Sequence, residues 1–181
     1  METITTTTPF SIIYNSFFSK ITDDMYMELT KEDTYKMAEE LLLSAMHKFE
    51  FPRFDITDFE VGQKEENDDE TEYKEGHFNS VLTNEEINIL SIYMIVEWLG
   101  QQLASVENVR MKYSGSDFKF TSQANHMSKI LSMKKDYERE GFHLQRLYKR
   151  REKDEDGIMR STFGSIMEES AAGRVVSKKW Y

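Results

Sequence analysis

The chain has 181 residues and a formal net charge of -10, and it is 39% hydrophobic and 31% charged, with no cysteine. This length and apolar content suffice for one buried core, while the absence of cysteine excludes a disulfide framework, thiolate metal sites and cysteine nucleophiles. No stretch approaches the roughly 18 apolar residues that would span a bilayer, and the first ten residues lack a signal-peptide pattern, so we expect neither membrane insertion nor targeting.

Charge is unevenly distributed between the two halves of the chain. Residues 1–90 hold 21 Asp and Glu against 7 Lys and Arg, a net charge of -14, whereas residues 91–181 have a net charge of +4. An acidic first half and a basic second half would let copies of the chain meet head to tail. A solvated acidic surface would explain the same figures.

Two helices are predicted in the first fifty residues. Thr8 and Pro9 form a start signal, because the hydroxyl can cap free amides and proline fits the first turn of a helix. Apolar residues at spacings of three and four then predict a helix of about three turns. Thr30 with Asp33 indicates a cap for the second helix, which should end a few residues before Pro52.

A small β-hairpin insertion is predicted at about residues 54–82. FDITDFEV partly alternates between apolar and polar residues, and HFNSVL is a second short apolar stretch. Between them, residues 63–76 are predicted to be a charged, mobile loop, since seven of the eleven residues from Glu65 to Glu75 are acidic. Such density can suggest Ca²⁺, but the spacing lacks the pattern that places oxygens around one ion, so a solvated loop is favoured.

The third predicted helix has the best-defined start in the chain. Thr83 and Glu86 have the spacing of a capping box, and apolar residues then cover nearly the whole circumference. We therefore expect this helix to be the buried centre of the fold, with Glu97 at the margin of the core. Gly100 either marks the end of the helix or allows a close crossing.

The fourth predicted helix runs from a cap at Thr121 or Ser122 to about Glu155, roughly 45 Å at 1.5 Å per residue. Its last turns, LQRLYKRREK, are expected to project from the core and contact a partner. Residues 156–181 are predicted to form an extended C-terminal arm that becomes ordered on a neighbour.

Motifs of enzyme chemistry are weak in this sequence. Glu140 and His143 have the Glu-x-x-His spacing of carboxylate-bridged metal bundles, but a second such pair is missing. The chain has no G-x-S-x-G, no P-loop and no zinc-ligand cluster of histidines. We predict no catalytic residue, no metal and no cofactor.

A basic run on the fourth helix is compatible with nucleic-acid binding. Arg146, Lys149, Arg150, Arg151 and Lys153 are interleaved with apolar residues, as on a helix that follows phosphates. There is only one such run, however, and the chain as a whole is acidic. Pairing with an acidic partner chain and a plain solvated helix end are alternatives.

Four stretches in order along the chain carry a family resemblance: FFSKITD, FEFPRFDITDFE, HFNSVLTNEEINILSIYMIVEWL and SGSDFKFTSQANHMSKILSMKKDYEREGFHLQRLYKRR. They resemble the neck, or head-to-tail adaptor, proteins of tailed bacteriophages, over roughly three quarters of the chain. Residues 1–8, the acidic loop and the tail after about Asp154 match poorly. The most specific part of the match is a structural signature made up of Asp117, Phe118, Phe120, Gln123, Asn125 and His126.

The resemblance implies a non-enzymatic structural protein of the virion. Its fold would be mainly α, a helical bundle with a long C-terminal helix, a small β-hairpin insertion and an extended arm, with residues 1–155 as the adaptor domain. A ring of twelve copies below the portal would join the head to the tail around a DNA channel. The implied partners are copies of the chain, the portal protein, a tail or second neck protein, and genomic DNA passing without sequence specificity, with no membrane. The implied locations are the head-tail junction of the virion and the host cytoplasm during assembly.

The predicted partner interface combines the end of the fourth helix with apolar residues of the arm. Its members are Leu144, Leu147, Tyr148, Arg150, Arg151, Val175, Val176, Trp180 and Tyr181. A rival interpretation is a small helical DNA-binding regulator, and a metal-dependent enzyme is a third. A further hypothesis is that the acidic surface lines the channel and repels DNA so that it slides.

Overall fold

The fold is mainly helical. A computed structural model describes residues 7–21, 29–50, 52, 55–67, 70–112, 120–153 and 159–161. Within them lie four α-helices: α1 Phe10–Phe18, α2 Lys31–Met46, α3 Asn84–Lys112 and α4 Phe120–Lys149. The seven short strands are β1 Thr8–Pro9, β2 Phe59–Glu60, β3 Gln63–Asn67, β4 Glu70–Lys74, β5 His77–Phe78, β6 Arg151–Lys153 and β7 Met159–Ser161. The predicted class, helical with a β insertion and a long C-terminal helix, is confirmed.

Helix α3 is the centre of the core, as its sequence predicts. All eight residues from Ile89 to Val96 are buried, so every face of these two turns packs against protein. The capping box is also confirmed: the Thr83 hydroxyl accepts from the Glu86 N–H at 3.3 Å, and the Glu86 carboxylate accepts from the Thr83 N–H at 2.7 Å. Glu97 lies at the core margin, where it pairs with Lys48 at 2.7 Å.

Helix α1 packs on α3 through Phe10, Ile13, Tyr14 and Phe17, all of them buried. Its start differs from the prediction. The Thr8 hydroxyl does not cap α1 but donates to the Ser80 carbonyl and accepts from the Leu82 N–H, each at 2.8 Å. Thr8 therefore fastens the start of the chain to the segment that leads into α3.

Helix α2 also packs on α3. The Thr30 hydroxyl accepts from the Asp33 N–H at 3.2 Å, which confirms the predicted cap. The helix ends at Met46, well before Pro52, and its last turn is followed by a hydrogen bond from the Lys48 N–H to the Ala45 carbonyl.

The insertion contains two small sheets. Strand β5 lies between β1 and β2, with Phe78 paired to both Thr8 and Phe59. The predicted charged loop over residues 63–76 is wrong, because β3 and β4 form an antiparallel hairpin there with Gln63 opposite Lys74 and Asn67 opposite Glu70. High charge density hid the strands, since composition is a weak guide to strand formation where few apolar residues alternate.

Helix α4 runs antiparallel to α3 and has 30 residues, or about 45 Å. It ends at Lys149 rather than near Glu155, and β6 then pairs with β7, so residues 159–161 of the predicted arm belong to a hairpin. The rest of the arm, 156–158 and 162–181, lies outside the described residues. No helix in the described ranges combines the length and apolarity needed to cross a membrane.

Two glycines lie on the α3–α4 seam. A Cβ on Gly141 would stand 2.9 Å from Cζ of Tyr93, closer than such contacts occur. A Cβ on Gly100 would meet only the end of Lys134, at 3.6 Å, an ordinary contact. Gly100 therefore neither ends α3 nor is needed for the close contact between α3 and α4. Gly141 is the glycine that allows α4 to lie close to α3 beside Tyr93.

Candidate functional site

The last turns of α4 are fixed to the start of α3 by polar contacts. The Tyr148 hydroxyl donates to the Glu86 carboxylate, and both side chains are buried. Arg151, just beyond the helix, pairs with Glu85 at 2.5 Å. The Glu86 carboxylate therefore has two roles. One oxygen caps the start of α3, and the other binds the end of α4 to it.

One turn earlier, Gln145 joins three elements. Its amide nitrogen donates to the Lys48 carbonyl at 2.9 Å and to the Tyr93 hydroxyl, and its amide oxygen accepts from the Glu50 N–H at 2.8 Å. Gln145 is 3% exposed, and burial raises the pKa of Tyr93. We call Glu86, Gln145 and Tyr148 together the polar clamp; it fixes the position of α4 relative to α2 and α3.

The polar clamp changes the interpretation of the predicted interface. The expectation that the last turns of α4 project is wrong, because Gln145 and Tyr148 are buried in the core. The Tyr148 side chain is buried inside the protein and does not form part of its surface, whereas Leu144 and Leu147 are half-buried. Arg150 and Arg151 are exposed, and Arg151 contacts Glu85. Val175, Val176, Trp180 and Tyr181 lie outside the described residues.

The opposite end of the helix pair is less buried. Among the described side chains, none from Gln101 to Ser105 in α3 or from Ala124 to Lys129 in α4 is buried. Among the described side chains, the less buried end of the helix pair is therefore the one opposite to the prediction, although Leu103 still packs against the core.

A groove lies between α3 and α4 next to this less buried end. It has a volume of about 320 Å³ and is lined by Trp98, Leu99, Gln102, His126, Lys129, Ile130 and Met133. Trp98 is half-buried and Met133 is 39% exposed, so the groove presents apolar surface beside a histidine and a lysine.

The structural signature is only partly described. His126 lines the groove and Asn125 beside it is exposed. Phe120 and Gln123 lie in the first turn of α4, with side chains outside the described set, and Asp117 and Phe118 precede the described part of this helix.

One flank of α4 carries exposed apolar side chains. Leu131 is 41% exposed and Phe142 is 50% exposed. They are eleven positions apart, so they lie about 20° apart around the helix and about 16 Å apart along it. We call this surface the apolar flank. It is bordered by charge, because the Arg146 guanidinium lies 5.8 Å from the Phe142 ring centre.

The Glu-x-x-His pair lies on the surface of α4. Glu140 and His143 are both exposed on α4. In the described part of the chain, no three His, Asp or Glu side chains are grouped closely enough to hold a metal ion.

Several of these features have only a weak sequence signal or none. A glycine in the middle of a long helix, as at Gly141, is a signal for a close crossing, whereas the prediction placed a possible crossing at Gly100. Gln145 had no signal, because its partners are up to 97 positions away along the chain.

Comparisons with known proteins returned nothing that defines a class. No family model, no curated protein and no solved structure matches this chain.

Proposed function

We propose that this protein is a structural assembly protein that packs with copies of itself into a ring, and that the ring acts as a neck adaptor between the portal and the tail of a bacteriophage. The resemblance in sequence supports the phage part of the proposal. The observation that supports assembly is the apolar flank, Leu131 and Phe142, on a long helix that the polar clamp fixes to the core just beyond Phe142.

The apolar flank favours a protein partner because its two large side chains lie in one line on a rigid helix. Lys135 and Glu138 lie between them on the same face, so the apolar flank offers two separate apolar contacts, which one neighbouring chain can cover together. The groove lined by Trp98 and Met133 adds apolar surface on the other side of α4. With apolar surface on both sides of one helix, a chain can contact two neighbours, as a closed ring requires.

The charge distribution favours contact between unlike surfaces. The first half has a net charge of -14 and the second half +4, so a head-to-tail arrangement brings opposite charges together. Such heterologous contacts generate rings when the rotation closes.

The rival interpretation, a DNA-binding regulator, has less support. The basic run is interrupted where Arg151 pairs with Glu85, and Glu138 and Glu140 are part of the same helix. Phosphate-tracking surfaces depend on unpaired positive charge, and binding through them falls steeply with salt. A mobility shift on duplex DNA that weakens with salt would favour the rival.

Self-association of the purified chain tests the proposal. Sedimentation velocity and native mass measurement over a wide concentration range are expected to show oligomers, and electron microscopy is expected to show rings. The double variant Leu131→Glu, Phe142→Glu should remain folded by circular dichroism and lose association, because it places two carboxylates on the apolar flank.

Val81→Glu is the matched control. Val81 is 55% exposed and precedes α3, away from the apolar flank, so this variant should associate like the wild type. A wild-type chain that is monomeric at every concentration contradicts self-assembly. Equal association of the double variant and the wild type contradicts the role of the flank.

A further inference from the structure

The groove between α3 and α4 is apolar at its floor and basic at its rim. Leu99 and Ile130 in its lining are buried, whereas His126 and Lys129 are exposed. None of its lining residues is acidic, and none of the residues three or four positions from Lys129 on α4 is acidic. Residues at those spacings are the neighbours of a side chain on a helix, so α4 itself does not balance the charge of Lys129. The groove therefore favours an occupant that combines an apolar side chain with a carboxylate.

The acidic half of the chain carries such a combination at β2, an edge strand of the three-stranded sheet. Glu60, its last residue, is exposed, and Val61 directly after it is 41% exposed. The strand is fixed to the core, because the Phe59 ring packs against the rings of Phe10 and Phe78. A strand at the edge of a sheet presents side chains from both of its faces to a partner. The β2 edge thus offers a carboxylate and an apolar side chain next to each other on a rigid support.

The β2 edge and the groove of one chain lie towards opposite ends of α3. The Asn79 N–H donates to the Asp58 carbonyl at 3.1 Å, which places β2 beside the segment that leads into α3. Trp98, in the groove, lies about 21 Å further along this helix than its first residue, Asn84. The groove is lined by residues of α3 and α4 alone, so β2 does not occupy the groove of its own chain.

We propose that the groove receives the β2 edge of a second copy. Val61 of that copy packs against Trp98 and Met133, and its Glu60 pairs with Lys129 at the rim. This inference rests on the self-assembly proposed above, and it names the two surfaces that meet. Because these surfaces are different, a copy whose β2 edge is bound still presents its own groove to a further copy, and such contacts generate a ring when the rotation closes.

Charge reversal tests the pairing of Glu60 with Lys129. The single variants Lys129→Glu and Glu60→Lys should each weaken association about tenfold at low salt, measured by sedimentation velocity, because each brings like charges together at the contact. The double variant Lys129→Glu, Glu60→Lys should associate like the wild type. An equimolar mixture of the two single variants should also recover association, since opposite charges meet again at every contact between unlike chains.

Lys36→Glu and Glu40→Lys are the matched controls for the two reversals. Both residues are exposed on α2, and these substitutions change the net charge by the same amounts, so association should change less than about twofold. The proposal is overturned if Lys129→Glu associates as well as Lys36→Glu, or if the double variant associates no better than either single reversal.

Disulfide cross-linking measures the contact of Val61 with the groove without relying on charge. The chain has no cysteine, so the double variant Val61→Cys, Met133→Cys can form disulfides only at the introduced positions. A disulfide requires the two Cα atoms to lie within about 7 Å, and linked oligomers larger than a dimer require both cysteines. Oxidation should therefore produce a ladder of linked oligomers. The control Lys36→Cys, Met133→Cys should stay largely unlinked, and equal yields from both variants would exclude this contact.

The outcomes separate this contact from the proposed function. If the wild type forms rings that neither charge reversal weakens, the groove contact is wrong and ring assembly stands. If the reversals and the cross-links behave as expected but the oligomers are open filaments, the contact stands and the ring adaptor is contradicted. A wild-type chain that is monomeric at every concentration contradicts both.

Discussion

Replacing Gly141 by alanine tests how closely α3 and α4 are packed. Alanine is the better helix former by about 1 kcal/mol, so on propensity alone the variant Gly141→Ala would be more stable. The added Cβ, however, would stand 2.9 Å from Cζ and 3.0 Å from Cε1 of Tyr93. The Tyr93 ring is 5% exposed and hydrogen-bonded to Gln145, so it has little room to move away.

Overpacking of this kind costs about 1–3 kcal/mol, and separating the helices also strains the polar clamp. After the gain in propensity, we expect a net loss of up to about 2 kcal/mol in the free energy of unfolding. Urea denaturation followed by circular dichroism measures it, and the melting temperature should fall by about 2–4 °C for each kcal/mol.

Gly100→Ala is the matched control on the same seam. Its Cβ meets only the end of Lys134 at 3.6 Å, so the propensity term dominates, and the variant should gain up to about 1 kcal/mol. The two substitutions are chemically identical and are expected to have opposite signs. If Gly141→Ala is as stable as Gly100→Ala, the close approach beside Tyr93 does not constrain this position.

Two further predictions concern individual tyrosines. Tyr148→Phe removes the donor to the buried carboxylate of Glu86 and should cost about 2 kcal/mol of unfolding free energy, measured by the same urea titration; a loss below about 0.5 kcal/mol would mean that the bond contributes little. For Tyr73, burial and then Glu39 raise the pKa from 10.0 to about 12, so its tyrosinate absorbance should appear late in an alkaline titration. Because the folded state holds this proton more tightly than the unfolded state, the contribution of Tyr73 to stability is complete below pH 10 and is lost as the pH rises towards 12. An ordinary midpoint for every tyrosine in the folded chain would contradict the burial of Tyr73.

The parts of the fold that the sequence predicts are those set by local interactions. The capping box depends on Thr83 and Glu86, three positions apart, and the central position of α3 depends on apolar residues around its whole circumference. The length of α4 was predictable because no breaker interrupts it. In each case, the residues that decide the structure are close neighbours in the chain.

Contacts between residues that are far apart in the chain could not be predicted from the sequence. Tyr148 and Glu86 are 62 positions apart, and nothing in LQRLYKRR shows that its tyrosine turns inward while its arginines remain exposed. Ser11, Tyr35 and Tyr73 come from α1, α2 and β4 and line one cavity, but no sequence pattern indicates that they lie together. The hairpin of β3 and β4 was not predicted for another reason. Every one of its cross-strand pairs contains a charged residue, whereas strands are predicted from alternating apolar residues.

The one-sided position of the polar clamp has a consequence for how the helix pair opens. Buried bonds fix the end of α4 at Gln145 and Tyr148, whereas no described side chain from Ala124 to Lys129 is buried. Local opening requires little free energy where few buried contacts are lost. Amide hydrogens of α4 should therefore exchange with solvent in a graded order, fastest at the start of the helix and slowest beside Glu86, so that the pair opens from one end while the other remains closed.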